Sequence, residues 1–134
     1  MNSEARLKLS LLLMRITVFA VMLVWTLDKF LYPEHSIAIF DKYYFIEIGS
    51  TYIIYLIGLV ELLLLLGFLS GIARKYTYGA VLLFHAISTL ASFPKYLDPY
   101  SGSNALFFAA WPMLAACLCL FLLRDRDTLF SAGG

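Results

Sequence analysis

The stretch Gly58-Leu59-Val60-Glu61-Leu62-Leu63-Leu64-Leu65-Leu66-Gly67 decides what kind of protein this is. It sets one carboxylate inside an apolar run from about Tyr52 to Leu69 that holds no other ionisable residue. Such a run crosses the hydrocarbon core of a bilayer as a helix. A charge at mid-membrane costs roughly 2.5–3.5 kcal/mol on insertion scales, so Glu61 has to face a partner or a cavity. What Glu61 faces is the question the rest of the chain has to answer.

Working outward, the composition agrees with a membrane protein. Of 134 residues 62% are hydrophobic and only 14% are charged, against about a half and a quarter in a soluble domain. The reading is an all-α integral membrane protein with a single domain over residues 1–134. A net charge of +1 provides no basic face for nucleic acid. Cys117 and Cys119 lie two apart in an apolar run, on different faces of a helix, and read as packing residues. No Cys/His spacing suits zinc, so no metal ligand and no catalytic residue is singled out. Arg6 and Lys8 ahead of leucines imitate a signal peptide, but Arg15 interrupts the apolar region and no small-residue cleavage site follows. A retained first transmembrane helix is expected.

Four spans are predicted, over about 7–32, 50–69, 76–93 and 104–123. Pro33 ends the first and Pro94 the third. A polar connection fills 34–49, a tight basic turn 71–75, and a loop rich in turn formers 95–103. Arg6, Lys8, Arg74, Lys75, Arg124 and Arg126 lie at the termini and the turn between the second and third spans. The other two connections hold only Lys42 and Lys95, with Lys29 nearby. The positive-inside rule therefore puts both termini in the cytoplasm. Tyr32, Tyr43, Tyr44, Tyr96 and Tyr100 gather at the opposite interface, where aromatic belts form.

At 1.5 Å per residue, Arg15 lies roughly 9–12 Å, Glu61 roughly 13 Å and His85 about 15 Å from the cytoplasmic end of its helix. An Arg15–Glu61 ion pair with His85 as near neighbour is the expected polar centre. His85, Ser88, Thr89 and Ser92 fall at helical spacing on one stripe, which is either packing or a hydrated way to His85. Thr26 and Lys29 share a face of the first helix with Arg15. Pro112 should free the carbonyl of Phe108, kinking the fourth helix or offering a buried acceptor.

Arg15 with Phe19, then Trp25-Thr26-Leu27-Asp28-Lys29-Phe30, then Gly58-Leu59-Val60-Glu61 with Gly67 and Gly71, resembles the DoxX-like family of small four-helix membrane proteins. The resemblance covers the first two spans and the four-span layout. It implies the inner membrane of a bacterium and a role as membrane subunit of a quinone-linked or thiol-linked redox system, as an oxidative-stress factor, or as a membrane chaperone.

Three functions stay open. One is an accessory or anchor subunit that holds a quinone head group near Arg15, Glu61 and His85 and works with a membrane or periplasmic oxidoreductase. A second is a chaperone or assembly factor that contacts its partner through Tyr43, Tyr44, Phe45, Tyr96 and Tyr100. The third is a proton-linked small-solute transporter, which at this size has to be a homo-oligomer to enclose a path. Chemistry by this chain alone ranks last, since Glu61 and His85 have no nucleophile beside them.

Overall fold

A computed structural model describes residues 1–133, and every regular element among them is helical. Helix α1 spans Ser3–Leu31, α2 Pro33–Tyr44, α3 Thr51–Ser70, α4 Arg74–Ala91, α5 Phe93–Leu97 and α6 Ala110–Leu122, with 3₁₀ turns at Asn104–Ala109 and Arg124–Arg126. Three helical stretches are long and apolar enough to cross a membrane: Ser3–Leu31, Thr51–Ser70 and Asn104–Leu122. In none of their apolar windows are more than 22% of the residues buried, so most of that hydrocarbon faces outward. Leu13, Leu56, Leu63, Leu83, Leu106 and Leu122 are all exposed. A surface of this kind requires lipid around it. This is a helical membrane protein.

The helix ends follow from local chemistry. Asn2 caps α1 by accepting from the Ala5 amide at 2.8 Å, and Ser50 caps α3 by accepting from the Tyr52 amide at 3.2 Å. Gly71 ends α3 in the left-handed conformation at φ 72°, with the Ile72 amide bonded back to the Gly67 carbonyl. A Cβ at Gly71 would also run into the Ser131 side chain, so glycine there serves both the turn and a close approach of the C-terminal tail.

Two connections differ from the sequence expectation. Residues 34–49 are not a plain polar connection, because Pro33 occupies the first turn of a new helix, α2. Pro33 and Ser36 are buried and Ile37 and Phe40 half-buried. That i, i+3, i+4, i+7 stripe packs α2 on α1 and α3; its polar outer face reads as a loop in the sequence. Pro94 likewise starts α5 rather than only ending α4. Residues 104–109 form a 3₁₀ turn, so Pro112 falls in the first turn of α6, where a missing amide costs no helical bond.

In the core, α1 packs on α3, α3 on α4, and α4 on α6. Leu11, Val18, Leu65, Phe68, Val81 and Leu120 form its centre. Gly58 lets α1 come close to α3, since a Cβ there would lie 2.9 Å from the Phe30 ring and 3.4 Å from Lys29 Cβ.

The tail after α6 is bound across one end of the bundle. Arg15, 1% exposed, reaches Asp127, 0% exposed, with Nη1 2.8 Å from Oδ1. This contact is an ion pair lying off the hydrogen-bonding direction; the directed bonds of Arg15 go from Nη2 to the Leu129 and Phe130 carbonyls, at 2.5 and 3.2 Å. The Tyr78 hydroxyl donates to Asp127 Oδ2 at 2.5 Å. Arg74 donates to the Arg124 and Asp127 carbonyls at 2.7 and 2.9 Å, and the Ala132 amide to Ser70 O at 2.7 Å. Arg126 pairs with Glu4. The start of α1, the α3–α4 turn and the tail therefore share one end of the molecule.

Breaking one side of a buried ion pair costs about 3–5 kcal/mol, whereas replacing both sides by apolar groups is often neutral. Arg15→Leu or Asp127→Leu alone should each lower the thermal midpoint in detergent sharply, and the double variant should regain most of the loss. A double variant as unstable as the sum of the singles would show that the two charges are not coupled.

Candidate functional site

The residues expected to form one polar centre are divided among three places. The expected Arg15–Glu61 pair does not form. Arg15 is committed to Asp127 and the tail carbonyls. Glu61 instead takes Lys29, Nζ to Oε2 3.1 Å, and the Thr26 hydroxyl, which donates to the same Oε2 at 3.1 Å. The reason is one of depth. Glu61 meets α1 at Thr26, 11 residues or about 16 Å beyond Arg15, while Arg15 shares Asp127 with Tyr78, seven residues or about 10 Å before His85 on α4. The Lys29 stem meanwhile runs inward along α1, keeping the ammonium beside the carboxylate at 14% exposure. Near that end of α1, His35 Nδ1 lies 2.7 Å from Asp28 Oδ2.

His85 forms the third group, with neither Arg15 nor Glu61 beside it. Its ring is 1% exposed and stacks with Trp25, the centroids 5.8 Å apart and the planes 21° from parallel. Nε2 lies 2.9 Å from the Ala110 carbonyl and 3.3 Å from Thr89 Oγ1. Since a carbonyl only accepts, Nε2 carries the proton. The Thr89 hydroxyl donates back to the His85 carbonyl at 2.7 Å, and the Ser92 hydroxyl to Ser88 O at 3.0 Å. The expected stripe thus largely bonds to its own helix. The buried acceptor expected at Phe108 is found at Ala110, the first residue of α6, and His85 uses it.

Nδ1 of His85 is buried and has no hydrogen-bond partner among the described residues. Leaving such an atom unpaired costs about 1–3 kcal/mol. Beside the imidazole is a cleft of about 490 Å³ bounded by α1, α4, the 104–109 turn and α6. Val21 and Trp25 of α1, His85 and Ser88 of α4, and Phe107 and Met113 from the chain beyond line it. Small-molecule sites run about 300–1,000 Å³, mostly apolar with a few fixed polar groups, and this cleft has that character.

A groove of about 550 Å³ lies near the junction of α2 and α5, lined by Lys42, Tyr43, Phe45, Lys95 and Asp98 among others. Of the aromatic residues expected to contact a partner, Phe45 and Tyr100 are 88% and 93% exposed, and Tyr43 and Tyr44 half-buried. Tyr96 does not belong to that surface. Its ring packs on Phe108 and Trp111, and its hydroxyl donates to the Thr89 carbonyl at 2.8 Å.

Comparison with family models, with curated proteins and with solved structures gives no match.

Sequence reasoning missed Asp127, Tyr78 and Trp25. Asp127 ends a run of alternating charges, Arg124-Asp125-Arg126-Asp127, that in the sequence simply closes the fourth span. Nothing local says that one of its four charges turns back into the bundle. Trp25 enters the sequence reading only within the Trp25–Phe30 stretch that carries the family resemblance, and its stacking on His85 joins two helices that are far apart in sequence.

Residues that do not touch contribute additively to within about 0.5 kcal/mol, whereas contacting charges couple by about 0.5–3 kcal/mol. Thermal unfolding of single and double variants should therefore show coupling between Lys29→Met and Glu61→Leu and none between Arg15→Leu and Glu61→Leu. The reverse pattern would restore the Arg15–Glu61 pair.

Proposed function

We propose that this chain is a four-span, DoxX-like protein of the bacterial inner membrane that serves as an accessory subunit of a redox system, holding a lipid-soluble quinone-type ring in the His85–Trp25 cleft. One observation carries the ligand: a buried, unpartnered imidazole nitrogen beside an apolar cleft of suitable volume, with an indole stacked on the ring. A quinone-type ligand supplies electron-carrying chemistry when bound. The chain supplies a slot of apolar side chains, an aromatic face at Trp25, and polar atoms at His85 and Ser88 to fix the head group. Arg15 and Glu61, both occupied by other partners, lie outside that role. The DoxX-like residues Lys29-Phe30 and Gly58 with Glu61 then support the packing of α1 on α3.

The fourth span in this reading is α4. Its 18 residues extend about 27 Å, and it lies between α3 and α6. Arg74 and Lys75 at its start, with His85, Ser88 and Thr89 further along, lower its hydropathy, and of the last three His85 and Thr89 are buried. Both termini are placed in the cytoplasm, because Arg6, Lys8, Arg74, Lys75, Arg124 and Arg126 belong to the end closed by the tail. Phe45 and Tyr100, exposed near the opposite end, favour that end as the contact for a periplasmic oxidoreductase or, in a second reading, for a client protein of a membrane chaperone.

Native mass spectrometry and lipid extraction of the gently purified protein test the ligand. A retained quinone or its quinol, lost in Trp25→Ala, is expected; a protein carrying phospholipid alone would reject the quinone reading. For topology, Cys117 and Cys119 are first changed to Ala. A membrane-impermeant maleimide on intact cells should then label Ser101→Cys and spare Ser3→Cys. Labelling of Ser3→Cys alone would invert the orientation.

A further inference from the structure

We propose that the His85 cleft selects a ring ligand presenting a hydroxyl group, a phenol or hydroquinol, over one presenting a carbonyl. This rests on the cleft being a ligand site at all. The inference follows from where the one proton on the imidazole sits. Nε2 faces the Ala110 carbonyl at 2.9 Å, and a carbonyl cannot donate, so Nε2–H is the donor of that bond. No carboxylate pairs with His85 among the described residues: Asp127 holds Arg15, Glu61 holds Lys29, Asp28 faces His35 and Glu4 holds Arg126. With no counter-ion and 1% exposure, the ring holds a single proton. Nδ1 is then a bare acceptor, and nothing in the described residues donates to it.

An acceptor at the edge of an apolar cleft discriminates by chemistry. A hydroxyl donates to Nδ1 and satisfies it. A quinone carbonyl directs lone pairs at a lone pair, so it leaves the nitrogen unpaired and adds a second unpaired acceptor. The neighbouring polar atom does not reverse this preference. The Ser88 hydroxyl both gives and takes a hydrogen bond, so it serves either form of the ligand equally. Trp25 completes the selection for a flat ring. It stacks on the imidazole yet is 43% exposed, so it offers an aromatic face to a flat ligand whose hydroxyl meets Nδ1 in the imidazole plane, where the nitrogen's lone pair lies.

The test uses the full chain in lipid nanodiscs under oxygen-free conditions, with tetramethylhydroquinone, tetramethylbenzoquinone and the hydroquinone dimethyl ether as probes. Calorimetric titration against nanodiscs of lipid alone removes simple partitioning. The hydroquinone should bind at least about tenfold more tightly than the quinone or the ether, the equivalent of one hydrogen bond to a buried acceptor. In ¹⁵N-histidine spectra, His85 Nδ1 should resonate as a bare nitrogen in the free protein and shift on adding the hydroquinone alone. Saturable binding with the quinone equal or tighter, or a protonated Nδ1 in the free protein, would overturn the selection while leaving the quinone-type site standing. No saturable binding of any probe would overturn both. His85→Phe should level the three affinities; if that variant does not fold, the series on the unaltered protein decides alone.

Discussion

Burial of Arg15 is the constraint on which the rest of the structure depends. A guanidinium at 1% exposure inside a helical bundle is tolerable only with compensating charge and enough acceptors. Neither α3 nor α4 supplies a carboxylate for it. The chain solves this by bringing its own C-terminal tail back, with Asp127 for the charge and the Leu129 and Phe130 carbonyls for the directed bonds. Tyr78, Arg74 and the Ser70 carbonyl then hold the tail in place. One end of the bundle is thereby closed by a polar network joining α1, α3, α4 and the residues after α6.

Because the charge of Arg15 is paired there, Glu61 is left to a different cation. Lys29 reaches it from further along α1, and Gly58 keeps α1 and α3 close enough for the contact. The two ion pairs divide the labour along α1, one locking the tail and the other setting the register of α1 on α3. Both belong to architecture. Among the described residues four buried side-chain atoms accept or donate no hydrogen bond: Arg15 Nε and Nη1 and Asp127 Oδ1 belong to the ion pair, which leaves His85 Nδ1, on a residue that lines the cleft.

That atom is the product of three elements that have no sequence relation to one another. α4 carries the imidazole, the first residue of α6 fixes its Nε2 proton, and α1 supplies Trp25 as cover. A protein of this size has few ways to hold a polar group in an apolar interior without pairing it, and each such group costs stability. In the proposed reading the site stays unsatisfied in the free protein and is satisfied on binding, which turns that cost into ligand affinity.

The sequence by itself determined that the chain is helical and built for a membrane. Apolar runs, helix-stopping prolines and the scarcity of charge are local properties, and the lipid surroundings reward them wherever the helices end up. It also marked Arg15, Glu61 and His85 as the residues needing partners, since an ionisable group in an apolar run demands one. Which partner each finds was decided by the tertiary structure alone. Spacing along one helix gives rotation and depth on that helix, but not the offset between two helices, and an error of seven residues is about 10 Å, more than any side chain bridges. The return of Asp127 across the bundle and the approach of Trp25 on α1 to His85 on α4 are long-range events. No periodicity encodes them, because they are set by which buried charges are neutralised together in the folded chain.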